Sequence, residues 1–161
     1  MSHRIKIFSV LLLFSFVMFS ACSEDSSADD RFPNVDERLW PLFEEFEIAA
    51  ANHGLDLNLV ALEITGEIEN IAGGRIAGTC RSGENIAHIT VDLPFWTRSS
   101  PFEREMLIFH ELGHCVLDRG HLEDEDNTGR CVSLMNSGTS GCNIVYNANS
   151  RDFYLEELFS N

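Results

Sequence analysis

Ser100-Pro101-Phe102-Glu103-Arg104-Glu105-Met106-Leu107-Ile108-Phe109-His110-Glu111-Leu112-Gly113-His114-Cys115-Val116-Leu117 reads as one helix with a marked start and a marked end. Ser100 suits the cap position, Pro101 suits the first helical residue, and Glu103 completes a capping box. Met106, Leu107 and Phe109 supply apolar faces, and Gly120 offers a left-handed exit, so the helix should stop near Leu117. Residues four apart lie on one helical face, so His110 and His114 point the same way. Glu111 stands about 100 degrees round the axis.

That spacing has a chemical reading. Two imidazoles on one face can bind one divalent ion, for which zinc is the expected cofactor. Zinc lowers the pKa of a bound water to about 7. Glu111 can reach such a water without displacing a ligand, take its proton, and deliver it to a leaving nitrogen. The bland reading is two surface histidines and a glutamate on an amphipathic helix. The apolar run Leu107-Ile108-Phe109 directly before the motif weighs against it.

A catalytic zinc site needs a third protein ligand and one open position. Here the chain resembles the metzincins, zinc peptidases in which HExxHxxGxxH turns the chain after the helix and returns a third His. In this sequence His110-Glu111-Leu112-Gly113-His114-Cys115-Val116-Leu117-Asp118-Arg119-Gly120-His121 places His121 one residue late, with Leu117 where the family has Gly. His121 can bind only if the helix ends near Leu117 or Asp118, because on a continued helix it would rise about 10 Å from His114. Asp118 is the alternative third ligand. Ser133-Leu134-Met135-Asn136 resembles the family's Met-turn, which implies Met135 beneath the metal. In zincins an edge strand binds the substrate backbone by strand addition. The strand nearest the metal helix, with His88, Thr90 and Asp92 on one face, is the candidate for that role. Tyr146 and Tyr154 are candidate oxyanion stabilisers that no spacing supports. The chain also resembles small bacterial lipoproteins that carry a His-Glu-Leu-Gly-His-Cys helix and an aromatic C-terminal helix.

Outward from the helix, Asn85 to Leu93 reads as a half-buried strand, with Ile89, Val91 and Leu93 alternating with His88, Thr90 and Asp92. Arg75 to Cys80 and Leu57 to Ile64 have strand character, with Gly66 and Gly73-Gly74 as punctuation. Residues 36 to 52 read as a helix whose apolar face is Leu39, Leu42, Phe43, Phe46 and Ala50. On the other side, residues 122 to 149 read as loop. Glu123 to Asp126 form an acidic run without the spacing of a calcium loop. Ser150 then caps a last helix that can dock Phe153, Tyr154, Leu158 and Phe159.

The N-terminus carries Arg4 and Lys6, then an apolar run from Ile7 to Phe19, too short for a membrane span of about 20 residues and of the length of a secretory signal. Phe19-Ser20-Ala21-Cys22 resembles a bacterial lipobox, with an aromatic where an aliphatic residue is usual. The resemblance implies cleavage before Cys22 and its lipidation. Residues 22–33 follow as an acidic, disordered tether, and Ser23-Glu24-Asp25 resembles the surface-export signal of some lipoproteins. Residues 34–161 form one domain. Losing residues 1 to 21 removes two of eleven basic residues and no acid, taking the formal charge from −15 to −17. No lysine then remains, and so acidic a body will not seek nucleic acid or an anionic membrane by charge. Four cysteines other than Cys22 suit two disulfides in an exported chain. The short loop favours Cys131 with Cys142, which leaves Cys80 with Cys115.

The resulting expectation is an α+β, zincin-like domain. It would have a small twisted, mainly antiparallel sheet, a long N-terminal helix, the metal helix beneath the sheet and a loop-rich C-terminal part ending in a helix. The expected activity is zinc-dependent peptide-bond hydrolysis by a lipid-anchored monomer at the outer membrane or cell surface. His110, His114 and His121 would hold zinc, and Glu111 would act as base and acid. The alternatives are a non-catalytic binding lipoprotein with a structural zinc, and hydrolysis of a non-peptide amide.

Overall fold

The computed structural model describes residues 31–73, 76–139 and 141–160. The signal segment, Cys22 and the tether up to residue 30 lie outside the described residues. The folded body starts earlier than residue 34. Phe32 is buried and packs edge-on to Phe43 at 5.6 Å, and Arg31 pairs with Glu44. Among the described residues no helix is long and apolar enough to cross a membrane.

The described residues form a mixed α+β fold with four helices and one three-stranded sheet. Helix α1 (Trp40–Asn52) starts later than its apolar pattern, because Asp36 accepts the Arg38 amide at 3.0 Å and holds the preceding residues in a turn. It buries Phe43, Phe46, Ala49 and Ala50. Leu57 to Ile64 is not a strand. Asn58 draws the segment into turns, its side chain accepting the Ala61 amide at 2.8 Å and its carbonyl the Leu62 amide at 3.1 Å. Pairing starts only at β1 (Thr65–Glu69), so Gly66 lies inside a strand rather than ending one.

Strands β2 (Gly78–Gly83) and β3 (Ile86–Asp92) complete the sheet in the order β1-β3-β2. β1 runs parallel to β3 and β2 antiparallel to it, so the sheet is mixed rather than mainly antiparallel. Alternation sorts the faces. Ile68, Ile89, Val91, Gly78 and Cys80 face the helices, while Glu67, Thr79, Arg81, His88 and Thr90 line a polar hollow on the other face. Leu93 does not extend β3. It opens a short helix, α2 (Leu93–Arg98), because Asp92 caps it by accepting the Phe95 amide at 3.0 Å and Pro94 favours a helix start.

Helix α3 (Pro101–Leu117) carries the capping box read from Ser100 and Glu103 and packs beneath β2 and β3. Phe109 meets Phe46 of α1 edge-on at 5.1 Å. Helix α4 (Arg151–Phe159) docks Tyr154, Leu155, Leu158 and Phe159 into the same core. Both expected disulfides are present. Cys80–Cys115 ties β2 to α3, and Cys131–Cys142 closes the loop ahead of α4.

Gly113 is where α3, α4 and the Met135 segment meet. A Cβ there would lie 2.5 Å from Met135 Sδ and 3.3 Å from Leu158 Cδ1. Met135 is fully buried, so it has little room to retreat. Gly113→Ala should therefore lower stability by about 1–3 kcal/mol, measured by urea unfolding. Because the clash is with one side chain, adding Met135→Ala should cost less than the sum of the two single changes.

Candidate metal centre

Helix α3 sets His110 and His114 on one face, and the chain after it supplies His121. The helix ends at Leu117 because Asp118 takes a left-handed conformation, φ 52° and ψ 33°, and the Asp118 and Arg119 amides both return to the Gly113 carbonyl. The exit comes two residues before Gly120, at an aspartate, one of the few non-glycine residues that tolerate this region. The chain reverses there, and His121 comes back over the helix. His114 Nε2 lies 3.1 Å from His110 Nε2 and 3.2 Å from His121 Nε2.

The rings are aimed from behind. His110 Nδ1 donates to the Leu134 carbonyl at 2.7 Å, and His114 Nδ1 donates to the Arg119 carbonyl at 2.6 Å. A carbonyl can only accept, so each Nδ1 carries the proton and each Nε2 presents a lone pair. Two lone pairs facing each other at 3.1 Å cannot hydrogen-bond, but they can share a cation. Burial pushes His110 down to about 4, aided by the neighbouring His114 and His121 and opposed by the Leu134 carbonyl. Burial lowers His114 as well. Neutral imidazoles are the metal-binding form, so His110, His114 and His121 together can hold one metal ion.

Glu111 is buried on the side of α3 facing β2. Its Oε1 would be 3.0 Å from a Cβ at Gly78, so the bare backbone of β2 makes room for the carboxylate. Burial pushes Glu111 up to about 7, against the Cys80 backbone amide, which favours the charged form. A cleft of about 510 Å³ opens on His110 and Glu111, with Ile76, Met106, Leu107, Leu134 and Ile144 as apolar walls and Asn136 to Thr139 as a polar rim.

The remaining sequence candidates lie elsewhere. Asp118 is an exposed helix terminator and belongs to no metal group. Strand β3 is central, paired along its length by β1 and β2, so it has no free edge for a substrate backbone. His88 and Thr90 face the polar hollow away from the metal helix, His88 bonding Thr65 and Glu67, and Asp92 caps α2. Gly78, the first residue of β2, lines the cleft, and among the described residues β2 is paired on one side only. Tyr154 is fully buried, donating to the Cys131 carbonyl at 3.0 Å, and Tyr146 stands beside Glu105 and Arg151, so neither lines the cleft. The acidic run clips loops. Glu123 accepts from Asn136 and Ser137, and Asp126 is held down to about 2 by Thr128 and the Arg130 amide. Met135 is fully buried against Gly113, the residue before His114.

Three contributors left no mark in the sequence: the Leu134 and Arg119 carbonyls and the Cys80 amide. They are backbone groups, which every residue has. Gly78 had a readable signal, a glycine opening a strand, which suggests close approach of another group.

Burial of Glu111 has a measurable consequence in the metal-free chain. Its folded pKa lies above the unfolded value of 4.5, so the folded state binds more protons, and stability falls as pH rises from about 4.5 to about 7. Glu111→Gln removes that loss. The metal-free variant should exceed the metal-free wild type by roughly 3 kcal/mol at pH 8 and by much less at pH 4, measured by urea unfolding in chelator.

No family model, curated protein or solved structure matches the chain.

Proposed function

We propose that the chain is a zinc-dependent metallopeptidase with a zincin-like, metzincin-type site, held outside the cytoplasm by a lipid on Cys22. The observation that carries this reading is the convergence of three imidazoles, one of which, His110, lines a cleft together with the buried Glu111. Separations of 3.1 and 3.2 Å suit a tetrahedral ion, whose ligand–ligand edge is about 3.3 Å for Zn–N bonds of about 2.0–2.1 Å. An all-imidazole donor set suits zinc, and three ligands leave a position open. When bound, zinc supplies Lewis acidity, polarising a carbonyl and acidifying a water.

The chain's own groups do the rest. Glu111 takes a proton from the attacking water and returns it to the leaving amide nitrogen. Its position on the wall of the cleft, beside His110, suits a carboxylate that takes and returns a proton there. Leu134 and Arg119 keep the lone pairs of His110 and His114 turned inward. The apolar walls from Met106, Leu107 and Ile144 receive an uncharged side chain next to the bond to be cut. Ile76, Ala77 and Gly78, which lead into the edge strand β2, form one wall of the cleft, and an extended peptide can lie along them. Two disulfides accord with an oxidising compartment.

The purified domain should hold one zinc by elemental analysis and cleave casein or a mixed peptide library. Glu111→Gln should keep the zinc and lose cleavage by about 10²–10⁴-fold. Zinc retained with no cleavage by either protein would instead mark a binding lipoprotein with a structural ion.

A further inference from the structure

Helix α4 supplies none of the three histidines and does not line the cleft, yet Arg119 joins it by hydrogen bonds to the metal centre. Arg119 follows the helix terminator Asp118. Its amide donates to the Gly113 carbonyl at 3.0 Å, and its own carbonyl accepts His114 Nδ1 at 2.6 Å. Its guanidinium points the other way, to the end of α4. There Nη1 donates to the Glu157 carbonyl at 3.1 Å and the Leu158 carbonyl at 2.7 Å, and Nη2 pairs with the Glu157 carboxylate. The Arg119 and Glu157 side chains are only 15% and 22% exposed.

The physical logic runs through the peptide unit. A carbonyl is only as fixed as the peptide that carries it, and this one lies in a loop, just past the end of α3. The last carbonyls of a helix lack partners within it and carry the negative end of its dipole, so they are good acceptors for a guanidinium. Three donor contacts from one planar fork restrict Arg119 more than a single ion pair would. Leu158, whose carbonyl Arg119 holds, also packs near Gly113, so α4 and α3 cannot slide past one another freely.

We propose that Arg119 is a positioning residue. It anchors the loop carbonyl to the C-terminal end of α4 and thereby locks His114 in the Nδ1–H tautomer and the orientation that metal binding needs. The affinity of the site then depends on the docking of a helix that contributes no ligand. The proposal rests on the metal-site reading above, and the test separates the two.

Zinc affinity is measured for the full chain by competition with a chromophoric chelator. The tautomer is read in the metal-free chain from long-range proton–nitrogen spectra, with His114→Gln identifying the ring. Arg119→Ala should weaken zinc binding by about 10- to 100-fold, as expected for loss of an outer-shell partner. It should also abolish the single Nδ1–H signature of His114. Arg119→Lys, which keeps the charge but not the fork, should fall between. Should Arg119→Ala fail to fold, Arg119→Lys and Glu157→Gln carry the same comparison. A lower urea midpoint with unchanged zinc affinity and unchanged tautomer in the folded variants would make Arg119 merely structural and overturn the proposal, leaving the peptidase reading intact. A wild type that takes up no zinc would overturn the metal reading. The nitrogen spectra would still decide Arg119: a signature lost only in the variants supports its role, and one kept throughout refutes it.

Discussion

Imidazole lone pairs pointed at one another form an unfavourable arrangement until a cation sits among them. His110 and His114 are in that position, with each proton committed to a carbonyl behind the ring. Left free, such rings would turn outward to water. The surrounding structure can be understood as what prevents them from turning.

Three connections do this from different parts of the chain. The segment Ser133-Leu134-Met135 gives His110 its carbonyl partner, packs Met135 on Gly113, and takes the Leu122 amide on the Met135 carbonyl at 2.9 Å, which steadies the residue after His121. Arg119 connects His114 to α4. Cys80–Cys115 fastens β2 to the residue after His114, and the Cys80 amide reaches Glu111. The three histidines, Glu111 and strand β2 are therefore parts of one packed unit. That rigidity is what a site needs if its geometry is to precede its ligand.

Much of this was legible in the sequence, because some of its signals are local. The capping box at Ser100 and Glu103 and the four-residue spacing of the histidines specify α3 and its metal face without reference to the rest of the chain. The alternation at Ile89 and Val91 specifies β3. The disulfides followed from loop length. What escaped was non-local or made of backbone. Leu57 to Ile64 looks like a strand by composition, but Asn58 offers its amides a turn instead. That β3 is central, and so unable to take a substrate strand, depends on where β1 and β2 pair. The left-handed exit falls at Asp118 although Gly120 was the better local candidate, with the Asp118 and Arg119 amides closing on the Gly113 carbonyl. The carbonyls behind the rings have no side-chain signature.

The bridge between β2 and α3 also bears on which donors a cation at the histidine face would meet. Before it closes, Cys115 is a free thiol adjoining His114, and thiolates are softer donors that compete strongly for zinc. Once oxidised, both sulfurs are withdrawn from coordination, and the imidazoles are the donors that remain at the site. The bridge thus decides the chemistry of the centre by subtraction, leaving nitrogen and no sulfur to meet a cation there.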